Sequence, residues 1–184
     1  MLWKEDVPVI THKDETDRST FIDVIAGTVN GIKAVSPAPN SWAANPDNSV
    51  GVYTVKMEAN ANWTLPATNE IANRSLFFYK GNSITIDDQQ ISGEKVIILQ
   101  AGEAINIING DETSYLLILE GRPINEPVVQ HGPFVMNTNE EIRETMREYG
   151  KTQFGGWPWD KAEIAHDRTK GRFALHADGM EEVK

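Results

Sequence analysis

Histidine is the only side chain here whose ordinary pKa lies near neutrality, because cysteine is absent and there are four His, at positions 12, 131, 166 and 176. With Asp167 and Asp178 close by, His131, His166 and His176 could in principle hold a metal or share a proton. Their spacings of thirty-five and ten residues follow no metal-ligand pattern, and the stretches around them read as loops, so surface or capping roles are expected. His12 stands in the polar run "THKDETDR" and is expected to be solvated. Two carboxylate pairs, Asp87-Asp88 and Glu140-Glu141, have the residue types of general acid/base catalysis. Neighbours on a turn point apart, and at a helix start the dipole alone accounts for two acidic residues, so neither pair is assigned chemistry. Trp63, Phe77 and Tyr79 are aromatic residues expected to line the interior of the fold.

The elements that must carry these residues are mostly strands. The first 120 residues alternate short apolar runs with Gly, Asn and Asp turns, the pattern of an all-β barrel or sandwich. "FIDVIAGTVN" and "GIKAV" meet at Asn30-Gly31, the best hairpin signal in the chain. Ser36 to Asn48, with three Pro and three Asn, is a surface loop. Seven strand candidates follow: "SVGVYTVKM", "NWTLPA", "SLFFYK", "SITIDD", "EKVIIL", "AINIIN" and "SYLLIL". After them "EPVVQHGPFVMNT" sets Val128, Val129, Phe134, Val135 and Met136 among two Pro and a Gly, a stiff and extended segment that something must cover. A helix starts at Thr138, which with Glu141 has capping-box spacing; Ile142, Met146 and Tyr149 form its apolar stripe and Gly150 its stop. The tail then places Phe154, Trp157 and Trp159 within six residues, too much aromatic surface for open solvent.

Composition narrows the function. At 184 residues the chain suits one domain with an appendage, divided here into 1–122 and 123–184. A net charge of -10 repels phosphate backbones, so direct nucleic-acid binding is not expected. No apolar run reaches the length of a membrane span, and the charged start "MLWKEDVPVI" does not resemble an export signal, so a cytoplasmic protein is expected. Asn62-Trp63-Thr64 and Asn73-Arg74-Ser75 match the glycosylation sequon by chance on that reading.

"EGRPINEPVVQHGPFVMNTNEEIRETMREYGKTQFGGWPW" closely resembles the stretch after the last barrel strand of pirin-related proteins, and "GRFALHADG" their usual ending. "VIAGTVNGIKAV" and "NWTLPATNEIANRSLFFYKGN" resemble the second half of the same family. The resemblance implies an all-β cupin, a jelly-roll β-barrel with one C-terminal α-helix and an extended tail. Pirins are bicupins with one metal, usually iron, held by His and Glu of the first barrel near a His-Pro-His motif. Nothing in this chain matches that motif, so it resembles the second barrel and tail only, with Met1 near the domain junction. Bacterial and human pirins are associated with quercetinase activity, and regulatory members bind transcription factors.

Aligning the turn glycines with a cupin site puts Trp63 and Leu65 at the His-x-His positions, Arg74 or Ser75 near the Glu, and Ile105 at the final His. No cofactor is therefore expected in this barrel, iron belonging to the other half of full-length relatives. The expected role is a non-catalytic scaffold or interaction module, with two alternatives: part of a quercetin dioxygenase whose metal-bearing half lies elsewhere, or a metal-free ligand-binding barrel. Phe134, Val135, Met136, Ile142, Met146, Tyr149, Phe154, Trp157 and Trp159 are the expected docking residues, in a tail-swapped homodimer or on a separate metal-binding cupin half.

Overall fold

The computed structural model describes residues 3–157, 166–176 and 178–184. It falls into two compact units, Leu2–Ile124 and Asn125–Lys184.

In the first unit, twelve strands are set by the alternation of inward apolar and outward residues. They are β1 (Val9–Lys13), β2 (Ser19–Ala26), β3 (Thr28–Val29), β4 (Ile32–Lys33), β5 (Gly51–Met57) and β6 (Asn62–Leu65), then β7 (Asn73–Lys80), β8 (Ser83–Ile86), β9 (Gln89–Ser92), β10 (Lys95–Gln100), β11 (Ile105–Asn109) and β12 (Ser114–Gly121). Six form one antiparallel sheet in the order β1-β2-β5-β12-β7-β10, and four a second in the order β6-β11-β8-β9. The hydrogen bonding does not run round a closed barrel; each sheet keeps two edges, and the architecture is a two-sheet jelly roll.

Ile22, Val24, Tyr53, Val55, Met57, Leu76, Phe78, Leu116 and Ile118 of the larger sheet meet Trp63, Leu65, Ile84, Ile86, Ile105 and Ile107 of the smaller one in a single core. Asn30 and Gly31, both with positive φ, make the two-residue turn between β3 and β4 as their sequence predicts. The aromatic register differs from expectation by one residue. Phe77 is half-buried and Tyr79 is exposed on the outer face, and Phe78 fills the interior, because inward Arg74 and Leu76 fix the parity of β7.

The second unit contains the hairpin of β13 (Val129–His131) and β14 (Phe134–Met136), the helix α1 (Asn139–Thr152), and the small hairpin of β15 (Phe173–Leu175) and β16 (Glu181–Val183). "EPVVQHGPFVMNT" is thus not a continuous extended arm: Gly132 takes a positive φ, and the chain turns back on itself at Gly132-Pro133. Thr138 and Glu141 form the capping box, the Thr138 hydroxyl accepting from the Glu141 N–H at 3.2 Å and the Glu141 carboxylate accepting from the Thr138 N–H at 2.8 Å. The helix runs past Gly150 and stops at Gln153, which takes the left-handed C-cap conformation in place of a glycine. α1 packs on the β13-β14 hairpin and buries Ile142.

Candidate functional site

The expected cupin positions on β6 and β11 lie on neighbouring strands. Leu65 and Ile105 are direct cross-strand partners, as are Trp63 and Ile107, and all four side chains are buried in the core. On β7 the parity selects Arg74, 1 % exposed, while the half-buried Ser75 lies on the opposite face.

Arg74 is held inside by a network whose other members escaped the sequence reading. Glu120 on β12 is its cross-strand partner, and Nε donates to Glu120 Oε2 at 2.8 Å. The Tyr53 hydroxyl on β5 donates to the second oxygen, Oε1, at 3.0 Å. The remaining guanidinium nitrogens reach the ends of the smaller sheet, Nη2 donating to the Pro66 carbonyl at 2.9 Å and Nη1 to that of Glu103 at 3.4 Å. Arg74 thus staples one sheet to the other. Burial, then the Glu120 carboxylate, pushes the Tyr53 phenol well above its ordinary pKa, so it remains a donor. Gly51 lies opposite Glu120 and makes room for both partners: a Cβ there would sit 2.3 Å from Tyr53 Oη and 2.7 Å from Glu120 Cγ. Strand alternation could have located these residues, since Tyr53 shares its parity with Val55 and Met57, and Glu120 with Leu116 and Ile118.

A metal does not fit this arrangement. Trp63, Leu65 and Ile105 offer no ligand atom suited to iron, Arg74 is a permanent cation, and the Glu120 carboxylate already accepts from Arg74 and Tyr53. Among the described residues, no three His, Asp or Glu side chains converge as a metal-binding group. Beside the network lies a cavity of about 310 Å³, lined by Thr28, Lys33, Asn45, Val50, Tyr53 and Glu120 among others.

Most of the remaining candidates have local partners. His12 is half-buried on β1 rather than free in solvent, and lines a surface concavity with Asp14, Arg18 and Trp63. His131 is exposed beside the β13-β14 turn. His166 meets the Phe173 ring edge-on at 4.8 Å, and His176 lies 3.4 Å from a Glu182 carboxylate oxygen. Asp167 caps a short 3-10 turn at Arg168–Lys170, its carboxyl held below the usual range by hydrogen bonds from the Thr169 N–H and hydroxyl. Asp178 accepts from the Met180 N–H at 3.0 Å. Asp87 and Asp88, both at positive φ, are the turn between β8 and β9. Glu140 pairs with Arg143 and Glu141 serves the cap.

Of the expected docking residues, Ile142 is covered by its own unit, which removes it from any exposed stripe. Phe134, Tyr149 and Phe154 form an edge-to-face aromatic cluster, with centroids 5.2 to 6.3 Å apart. Phe134 and Met136 are half-buried, whereas Val135, Met146, Tyr149, Phe154 and Trp157 are exposed. Trp159 lies outside the described residues. No helix among the described residues is long and apolar enough to cross a membrane.

Two antiparallel sheets around an apolar core, with Trp63, Leu65, Ile105 and an internal ion pair buried between them, define a cupin-type jelly roll. Residues 52–155 match the model of the pirin C-terminal cupin domain, and the chain belongs to that family. It is 30 % identical over 159 residues to a putative quercetin 2,3-dioxygenase of Pseudomonas aeruginosa, covering 79 % of this chain and 48 % of that protein. Rat pirin is 41 % identical over 68 residues, 36 % of this chain and 23 % of pirin. Among solved structures, a quercetin 2,3-dioxygenase from Acinetobacter baumannii superposes with a TM-score of 0.66 at 26 % identity, covering 84 % of this chain and 50 % of that one. The chain therefore spans about half the length, or less, of these relatives.

Proposed function

We propose that this chain is a metal-free, non-catalytic cupin module that supports or recruits other proteins, its tail docking on another cupin barrel, either that of a second copy or of a separate metal-binding half. The observation that carries this reading is the Arg74–Glu120 pair, 1 % and 5 % exposed, standing with Trp63, Leu65 and Ile105 where the resemblance places metal ligands. A guanidinium at that point repels a cation, and its hydrogen bonds to both sheets do the bridging that a ligated metal would otherwise do. The half-exposed aromatics of the tail support the docking role.

Oxidative opening of a flavonol by dioxygen needs a group that binds and activates the substrate oxygen, and Trp63, Leu65, Ile105 and an ion-paired Arg74 cannot supply it. The dioxygenase named in the relatives is accordingly assigned to the part of those longer proteins that this chain does not span. The cavity of about 310 Å³ beside Tyr53 and Glu120 favours a second reading, a metal-free site for a small ligand.

The test is elemental analysis of the purified chain with oxygen uptake in the presence of quercetin. Less than about 0.1 transition metal per chain after mild chelation, and no uptake above the protein-free rate, are expected. Near one metal per chain, or turnover lost on substituting His131, His166 or His176, would sink the reading.

A further inference from the structure

The outer face of the six-stranded sheet carries its two most exposed aliphatic side chains at the β10 edge. Two of its cross-strand rows can be followed residue by residue. One runs Val96, Phe77, Leu117, Thr54, Asp23, Val9 from β10 to β1, and the other begins Ile98, Ser75, Leu119, Val52. At the β1 and β2 side the face is mixed: Thr54 donates to Asp23 at 2.7 Å, while Val9, at the end of the same row, is 57 % exposed. At the β10 side it is apolar, and Val96 and Ile98 are 59 % and 76 % exposed. An antiparallel sheet facing water normally turns polar residues outward, and this half of the face does not.

That apolar half borders an open edge. β10 pairs with β7 on one side, and no strand pairs with its other side among the described residues. Its sequence Lys95-Val96-Ile97-Ile98-Leu99-Gln100 lacks the central charge, proline or bulge that ordinarily protects an edge strand. The remaining edges differ: β1 follows Pro8 and ends in the Lys13–Asp17 ion pair, β9 is largely polar, and β6 is followed by Pro66, with its Asn62 N–H donating to Asp14 at 2.9 Å.

The unpaired backbone calls for a β-strand, and β10 is its own complement. Laid antiparallel about Ile97, Val96 faces Ile98 of a second copy, Ile97 faces Ile97, and Lys95 faces Leu99. Every aliphatic side chain then meets another or the stem of a lysine, and no like charges stand opposite. The contact is isologous, so it closes at two copies.

We propose that β10 is the homodimerisation edge of this chain, joining two six-stranded sheets into one across a two-fold axis at Ile97. The occupant is a second copy because β10, centred on Ile97, sets aliphatic side chains opposite one another with no like charges paired.

The intact protein is tested by sedimentation equilibrium at micromolar concentration with two point variants. A wild-type dimer is expected, and Ile98→Lys should weaken it by about 100-fold or more by setting a charge in the joint while leaving the core untouched. Phe154→Asp, which alters the tail cluster only, should leave the dimer intact. The chain has no native thiol, so Ile97→Cys should oxidise to a single 97–97 disulfide, paired Cα atoms in an antiparallel ladder lying about 4.5 to 5.5 Å apart. A monomeric wild type would overturn the proposal and leave this face to a different cupin half. A dimer that survives Ile98→Lys but is lost with Phe154→Asp would also overturn it, placing the contact in the tail.

Discussion

Removing Arg74 would leave the Glu120 carboxylate buried without its cation, the most costly single change the network offers. Arg74→Met should destabilise the fold by about 3 to 5 kcal/mol, and Arg74→Met with Glu120→Leu by markedly less, in thermal or urea denaturation, since the second substitution removes the stranded charge. Trp63→Ala should likewise cost about 3 to 5 kcal/mol, because the ring is 2 % exposed and leaves a cavity between the sheets; a loss under about 1 kcal/mol would contradict its placement. Tyr53 gives a pH signature. Its folded pKa is raised, so its contribution is intact below the ordinary phenol pKa near 10 and declines as pH rises beyond it. Ultraviolet titration of the four tyrosines should show one ionising only together with alkaline unfolding, and Tyr53→Phe should remove that component. Trp63, Leu65 and Ile105 were reached through the family resemblance, and all three are buried. The choice between Arg74 and Ser75 was not legible in the sequence, because a strand's two-residue period needs one fixed inward neighbour, and the partner that makes an inward arginine tolerable lies 46 residues away.

Strands announced themselves where both faces of the pattern were strong, as in β5, β7, β11 and β12. β1 and β9 were missed because "VITHK" and "QQIS" are edge strands with few apolar residues, held by their neighbours' ladders more than by their own burial. The hairpin inside "EPVVQHGPFVMNT" was hidden by its prolines, which read as extended chain although Gly132-Pro133 serves as a turn. The helix start, by contrast, rests on local hydrogen bonds that the sequence spells directly. Thr138→Ala should remove the bond to the Glu141 N–H and cost the tail unit about 1 kcal/mol, seen as faster amide exchange over the first turn of α1 with the jelly roll unaffected. Exchange that quickens equally in the core strands would show that the two units unfold together.

At the scale of the whole molecule, the net charge of -10 and the apolar β10 edge act in opposite directions on association. Two copies brought together repel through their summed charge, and this repulsion is screened by salt, while burial of Val96 and Ile98 is not. β10 itself carries one charge, Lys95, which in the antiparallel register faces Leu99, so no ion pair within the strand joint opposes the trend. Dimer affinity should therefore rise with ionic strength, by about an order of magnitude between roughly 20 and 300 mM sodium chloride, the range over which the Debye length falls from roughly 20 to 6 Å. Sedimentation equilibrium across that series measures it directly. An affinity that falls with salt would mean that the copies are held by charge pairs, and would move the interface away from the apolar edge of the sheet.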